Sequence, residues 1–179
     1  MTVFVALLRG INVGGHHKLP MKTLREIIEG AGGEAVSTYI QSGNAVFQAA
    51  SANAATLEKK LGAAIEKEAG FRPDVFLIGL PEYRAVLNKN PFAASCGDPS
   101  KLFVVFLKTA ATKKALADVE SALVKSERIA AKGKAVYFDA PEGVGRSKAA
   151  EKLGKAMPGG TMRNWRSCVK LEEMASALT

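Results

Sequence analysis

The densest group of residues able to contact a ligand lies at 9–15, directly after the apolar run at 3–8. An apolar run of that length predicts a buried strand, so the polar, glycine-rich turn lies at the strand's carboxyl end. Backbone N–H groups in such a turn can approach a ligand closely. The candidate ligand-binding residues in this first block are Arg9, Gly10, Asn12, Gly14, Gly15 and, slightly further along, Lys18.

The residue types of the first block suit a phosphate or carboxylate. An arginine offers a bidentate fork, an asparagine an amide and a lysine a mobile charge. The spacing matches neither a dinucleotide-binding glycine fingerprint nor a P-loop. The alternative is a tight strand-to-helix connection in which Asn12 bonds its own turn. The sequence leaves both interpretations open.

A second block, 41–44, joins two predicted short strands and supplies Gln41, Ser42 and Asn44. Serine is a conceivable nucleophile, but the only histidines, His16 and His17, lie in a loop and provide no evident base. The pattern is typical of a hairpin turn, and it favours a binding contact over catalysis. In a ferredoxin-like unit this turn and the end of the first strand lie on the same side of the sheet.

The third block combines Arg146, Ser147 and Lys148 with Arg163 and Asn164. The serine and the asparagine each have the character of a helix N-cap, which would place basic side chains around two helix starts. Helix starts attract anions. The alternative is two capped helices with basic side chains in solvent.

Charge supports the third block. The chain of 179 residues has a net charge of +8, and the segment 125–170 holds 11 basic and 4 acidic residues. A local excess of that kind attracts phosphorylated metabolites, nucleic acid or acidic proteins.

Several classes of site are disfavoured. His16 and His17 are adjacent in a loop with no acidic or thiol partner nearby, and Cys96 and Cys168 lack metal or redox spacing. We therefore predict no metal and name no cofactor. The apolar stretches are too short to cross a bilayer, and no basic segment precedes the first of them, so we expect a cytoplasmic protein with no membrane partner.

Residues 1–80 predict the element order β-α-β-β-α-β, which is ferredoxin-like. The predicted strands are 2–9, 35–40, 45–48 and 74–80, and the predicted helices are 20–30 and 54–69.

The remainder repeats part of this order after a short helix and connecting loop at 81–100. Strands are predicted at 101–108, 128–131 and 134–139, and helices at 112–124, 147–156 and after Asn164. We predict an α+β protein of two ferredoxin-like (α-β plait) subdomains, 1–80 and 101–179, with antiparallel or mixed sheets. The first strand of each half is apolar on both faces, so both faces must be covered, by the other half or in a homodimer.

Several motifs resemble those of an uncharacterised bacterial family, the domain of unknown function 1697 family. The resemblance rests on RGINVGG at 9–15, TYIQSGN at 38–44, GRSK at 145–148 and RNW at 163–165. It implies a compact α+β structure of two plait-like subdomains and implies no activity.

Three functions remain open from the sequence. The first is binding of a phosphorylated or nucleotide-like anion between the glycine-rich N-terminal loop and the C-terminal basic helix starts. The second is a nucleic-acid-binding module, which the absence of an aromatic RNA-binding strand disfavours. The third is a structural or interaction protein without a ligand. The sequence does not determine whether the protein is an enzyme or whether it is a monomer or a homodimer.

Overall fold

The structure, a computed structural model, describes residues 1–50 and 52–179. These residues form two compact units. Unit 1 consists of Met1–Ala85 with Lys170–Thr179, and unit 2 consists of Val86–Val169.

The described residues form fourteen helices and strands in sequence. Those of the first half are β1 (Thr2–Arg9), α1 (Met21–Gly30), β2 (Gly33–Tyr39), β3 (Asn44–Ala49), α2 (Ala54–Ala69), β4 (Asp74–Gly79) and α3 (Leu80–Asn88). Those of the second half are β5 (Leu102–Phe106), α4 (Lys113–Glu120), β6 (Arg128–Lys132), β7 (Ala135–Asp139), α5 (Lys148–Ala156), β8 (Thr161–Asn164) and α6 (Trp165–Ser176).

Unit 1 has a four-stranded sheet in the order β2-β3-β1-β4. Every neighbouring pair is antiparallel. β1 and β2 are therefore parallel to each other, on either side of β3, and their carboxyl ends lie at the same edge of the sheet. The predicted ferredoxin-like architecture is confirmed.

The core of unit 1 forms where the two helices cover one face of the sheet. The residues spaced by four on α2, Leu57, Leu61 and Ile65, are all buried in the same cluster as Phe4 and Phe47. Both ends of α2 are capped. The Asn53 side chain accepts from the Thr56 N–H at 3.0 Å, and Gly70 ends the helix with a left-handed φ of 77°. The capping residues and the apolar spacing therefore specify the same helical segment, Ala54–Ala69.

Unit 2 repeats the topology, with the order β6-β7-β5-β8 and antiparallel neighbours. One strand is missing from the sequence-based prediction. Residues Thr161–Asn164 form β8, which pairs with β5 from Phe106↔Thr161 to Phe103↔Asn164. The strand is only four residues long and runs directly into α6, so it has too few residues to show an alternating pattern. The predicted role of Asn164 as an N-cap is confirmed, since its Oδ1 accepts from the Ser167 N–H at 2.9 Å.

Both faces of the two central strands are buried, as their apolar sequences predict. In β1 the successive residues 4–8 are all at most 2% exposed. In β5, Val104 and Val105 point to opposite faces and are 0% and 4% exposed. No helix in the described part of the chain is long and apolar enough to span a membrane.

The segment Lys170–Thr179 is tied to unit 1 by polar contacts. Arg84 Nε donates to Glu172 Oε1 at 2.7 Å, and its Nη2 donates to Ser176 Oγ at 2.7 Å. The Ser176 hydroxyl donates to the same carboxylate at 2.8 Å. The hydrogen bonds from Arg84 and Ser176 hold the pKa of Glu172 below its usual value. Gln48 Nε2 adds a bond to the Leu178 carbonyl at 2.7 Å.

We expect Glu172→Gln to lower stability at neutral pH and to have less effect in acid. A carboxyl whose pKa is lower in the folded protein stabilises it above the unfolded pKa and loses that contribution as the pH falls through the folded pKa. The difference in free energy of unfolding between wild type and variant should therefore shrink below pH 4.5, the ordinary value. Urea titrations across pH 3–7 measure it. Glu68→Gln, on an exposed residue of α2 with no ion pair in the described chain, is the control and should show no such trend.

Candidate functional site

The N-terminal glycine loop forms a small hairpin within unit 1. Val13 bridges His16, and the Asn12 N–H donates to the His17 carbonyl at 3.1 Å. Gly14 and Gly15, between the bridged residues, have φ of 58° and 79°. Two positive φ values at these positions are those of a type I′ turn, which glycine adopts without strain. Closing the hairpin therefore explains the presence of both glycines without a ligand.

The Asn12 side chain is fully engaged with the backbone of unit 1. Its Nδ2 donates to the Leu19 carbonyl at 2.9 Å and to the Gln41 carbonyl at 2.8 Å. Its Oδ1 accepts from the Leu19 N–H at 2.8 Å. Asn12 itself has a positive φ of 54°, a conformation that asparagine tolerates better than most residues. These contacts support the interpretation that Asn12 stabilises its own turn.

The structure brings the first and second blocks together. Besides the Asn12–Gln41 bond, the Leu8 N–H donates to the Gly43 carbonyl at 2.8 Å. A Cβ on Gly43 would lie 2.7 Å from Ile11 Cδ1 and 2.8 Å from Leu8 Cβ, and the residue has a φ of 78°. The turn at 40–43 thus packs against the end of β1 with its backbone, and only glycine fits there.

The remaining residues of these blocks also have local partners or face solvent. Arg9 Nη1 pairs with Asp74 Oδ2 at 3.0 Å, across the β1–β4 register. The buried Asn44 donates to Ser42 Oγ at 2.9 Å and to the Tyr39 carbonyl at 3.2 Å. Lys18 and the Gln41 side chain are exposed, and Gly10 has a left-handed φ of 71°.

His17 is held in its loop by two contacts within unit 1. Its Nδ1 lies 3.0 Å from the Gly10 carbonyl oxygen, which accepts a hydrogen bond in the tautomer that carries the proton on Nδ1. Its ring stacks on Phe71, with centroids 4.6 Å apart and an interplanar angle of 18°. Both observations describe a histidine that stabilises its loop.

The third block forms an open cavity in unit 2 at the start of α5. The cavity has a volume of about 470 Å³. Arg146 and Lys148 are exposed on its lining and form no ion pair within the described chain. Ser147 is the N-cap of α5, as predicted, because its Oγ accepts from the Ala150 N–H at 3.0 Å. The other lining residues are Val144, Gly145, Ala150, Glu151 and Met162.

Glu151, the acidic residue on the lining of this cavity, pairs with a lysine that is not part of the lining. Glu151 Oε1 accepts from Lys155 Nζ at 2.6 Å, and this hydrogen bond, together with the lysine's charge, lowers the pKa of Glu151. Lys148 lowers it further through its charge. Glu151 is thus the ion-pair partner of Lys155, whereas Arg146 and Lys148 have no ion pair in the described chain.

Arg163 does not join this cavity. In β8, Met162 lines the cavity and packs in the helix-covered core, and Arg163, the next residue, belongs to the opposite face of the sheet beside Val104. Arg163 is 8% exposed. Its Nη1 donates to Thr161 Oγ1 and to the Met162 carbonyl, both at 2.8 Å. Asn164 caps α6, so the structure separates the third block into one cavity and one buried strand.

Sequence reasoning did not find the apolar wall of the cavity. Val144 and Met162 line it, and neither residue type suggests a ligand site. The signal that would have found Met162 is the strand β8, since a strand there places Met162 on the same face as Val105.

The described residues contain no group of three or more His, Cys, Asp or Glu side chains able to hold a metal ion. Cys96 is half-buried and Cys168 is buried, and neither forms a disulfide.

Comparison with known proteins agrees with this fold. The solved structure of the conserved bacterial protein SP0830 from Streptococcus pneumoniae is similar to this chain, with a TM-score of 0.77 and 28% sequence identity. The similarity covers 97% of this chain and 98% of the other. No curated protein matches the chain. Residues 1–137 match the family described as "Protein of unknown function (DUF1697)". The chain therefore belongs to the DUF1697 family.

Proposed function

We propose that the protein binds a small phosphorylated or nucleotide-like anion at the start of α5, in the cavity lined by Arg146 and Lys148. The observation that carries the proposal is the presence of these two cationic side chains, unpaired within the described chain, on one cavity of about 470 Å³. Ligand pockets typically have volumes of roughly 300–1,000 Å³, so the cavity is large enough for a phosphorylated metabolite.

The helix itself adds to the positive potential of the cavity. The first N–H groups of a helix have no intrahelical partner, and the helix dipole places partial positive charge there. At α5 the Ser147 hydroxyl satisfies the N–H of Ala150. The earlier N–H groups of the first turn, together with the guanidinium of Arg146, favour a phosphate.

The apolar, non-aromatic wall of the cavity indicates which class of ligand it would bind. Its apolar residues are Val144, Ala150 and Met162, and none of the lining residues is aromatic. Proteins that hold single-stranded nucleic acids commonly stack bases on aromatic side chains. The lining therefore favours a small molecule bound through its phosphate, with an apolar portion against Met162, over a nucleic-acid strand.

The test is a thermal-shift and calorimetric screen of sugar phosphates, nucleotides and short oligonucleotides at low salt. We expect at least one phosphorylated small molecule to bind the wild type, and Arg146→Ala or Lys148→Ala to weaken that binding at least about tenfold, as expected for loss of a charge-assisted hydrogen bond. Arg25→Ala is the matched control. It removes an exposed arginine of α1 that has no ion pair in the described chain, and it should leave binding unchanged.

Two outcomes would contradict this proposal. One is binding that all three variants weaken equally, which would indicate attraction by net charge alone. The other is binding of oligonucleotides only, with an affinity that falls steeply as salt increases, which would indicate a nucleic-acid-binding module instead.

A further inference from the structure

The cavity lined by Arg146 and Lys148 carries more positive charge than a single monoanion would neutralise. Both side chains are exposed on the lining, and neither has an ion pair in the described chain. Glu151, the acidic residue of the lining, already forms an ion pair with Lys155 at 2.6 Å. A ligand therefore meets two cationic side chains whose charges are not matched by an acidic partner.

Further hydrogen-bond donors lie at the same end of α5. Ser147 Oγ accepts from the Ala150 N–H at 3.0 Å, so its hydroxyl proton is still able to donate to a ligand oxygen. The N–H groups of the first two residues of the helix have no intrahelical acceptor. Together with the guanidinium of Arg146 and the ammonium of Lys148, these groups provide enough donors for a phosphate with three terminal oxygens.

Resting on the function proposed above, we propose that this site selects a phosphate monoester, bound as its dianion, over phosphate diesters and other monoanions. A monoester has three terminal oxygens and carries nearly two negative charges at neutral pH, because its second ionisation has a pKa of about 6. A diester, such as the backbone of a nucleic acid, has two terminal oxygens and one charge. Only the dianion matches both cationic side chains.

The apolar side of the lining indicates the character of the ester group. Val144, Ala150 and Met162 line the cavity, and all three also pack against the buried core of unit 2. The core holds them in place, so they offer an apolar contact beside the two charges. Burial of apolar surface there stabilises a ligand whose ester group is itself apolar.

The binding of such a ligand should depend on pH through the ligand alone. Among ordinary side chains, only histidine titrates between about pH 5 and 8, and neither histidine of the chain lines the cavity. The hydrogen bond from Lys155 holds the pKa of Glu151 below its usual value, so this carboxyl stays ionised over that range. The charged side chains on and around the cavity are Arg146, Lys148, Glu151, Lys152 and Lys155, with Asp118 on α4 and Glu142 in the preceding loop.

The test compares phenyl phosphate with two monoanions that carry the same ring, phenyl sulfate and methyl phenyl phosphate, by calorimetry on the full chain. At pH 7.5 we expect phenyl phosphate to bind at least about tenfold more tightly than either monoanion. Between pH 7.5 and pH 5 its affinity should fall at least about fivefold as the dianion is protonated, while the affinity for phenyl sulfate stays constant. Equal affinity for phosphate and sulfate, or no binding of phenyl phosphate, would overturn the inference.

Charge removal provides the second arm of the test. Arg146→Gln and Lys148→Gln should each reduce the preference for phenyl phosphate over phenyl sulfate to about threefold or less, because one cation is lost. Lys152→Gln is the matched control. This lysine lies on the same helix, outside the lining, and its Nζ donates to Ser121 Oγ at 3.0 Å, so the preference should remain. An equal loss of preference in all three variants would refute selection by this cavity.

The two proposals fail in different ways. If phenyl phosphate and phenyl sulfate bind equally and Arg146→Gln weakens both, the cavity binds anions but does not select the dianion. If no phosphorylated compound of the wider screen binds, the site itself is lost.

Discussion

Gly43→Ala should destabilise unit 1 by about 3 kcal/mol, measured by chemical denaturation at neutral pH, because it adds two penalties at one position. The residue has a left-handed φ of 78°, which an alanine adopts only with strain. Its Cβ would also lie within 3.0 Å of Ile11 and Leu8, which are 2% and 1% exposed and have little room to move. A loss of this size would show that the TYIQSGN motif is needed for packing against β1.

Gly15→Ala is the matched control for this prediction. Gly15 also has a left-handed φ, of 79°, but no atom lies within 4 Å of the position a Cβ would take. Alanine there bears the backbone penalty alone, about 1 kcal/mol. If the two variants lost equal stability, the close contact at Gly43 would contribute nothing, and the packing argument would be wrong.

Asn12→Ala should lower the free energy of unfolding by about 3 kcal/mol, the second large effect we expect. The substitution removes two donated bonds and one accepted bond, and it leaves the N–H and carbonyl of Leu19 without these partners. It also places alanine at a φ of 54°. Binding of the phosphorylated ligand by the folded variant should be unchanged, since the proposed cavity uses no residue of this loop.

Two further substitutions at position 12 separate the contributions. Asn12→Gly removes the same hydrogen bonds but relieves the backbone strain, so it should be about 1 kcal/mol more stable than the alanine variant. Asn12→Asp keeps the acceptor for the Leu19 N–H but places a carboxylate oxygen against the carbonyls of Leu19 and Gln41, so at neutral pH it should be no more stable than Asn12→Ala. A stability close to that of wild type in all three variants would mean that the hydrogen bonds are not what holds the loop.

Much of the fold follows from local signals in the sequence. The predicted bounds of β1 and α2 match the structure, because a continuous apolar run specifies the first and apolar spacing with strong caps specifies the second. The missed strand β8 has neither signal. Its four residues are held by pairing with β5, a partner more than fifty residues earlier in the chain. Pairing over that distance is not encoded in the local pattern.

For the candidate site, the sequence predicted the helix-capping residue correctly, but it did not predict which residues line the cavity. Ser147 could be identified as an N-cap because capping depends on neighbours in the sequence. Arg163 could not be assigned to the right face of the sheet, because that depends on the register of β8. In the first block, asparagine and glycines are expected both in a ligand-binding loop and in a tight turn, so the residue types alone do not separate these roles. The hydrogen bonds of Asn12 in the structure favour the turn.

The division of the chain has a consequence for synthesis on the ribosome. Unit 2 is continuous, so all of its residues have been translated once Val169 is added. Unit 1 is not, because its first 85 residues are completed by Lys170–Thr179. The bonds from Arg84 to Glu172 and from Gln48 to Leu178 cannot form in a shorter nascent chain. The unit that emerges first is therefore the one that is completed last, and its early segment must remain without these contacts while the second unit is being made.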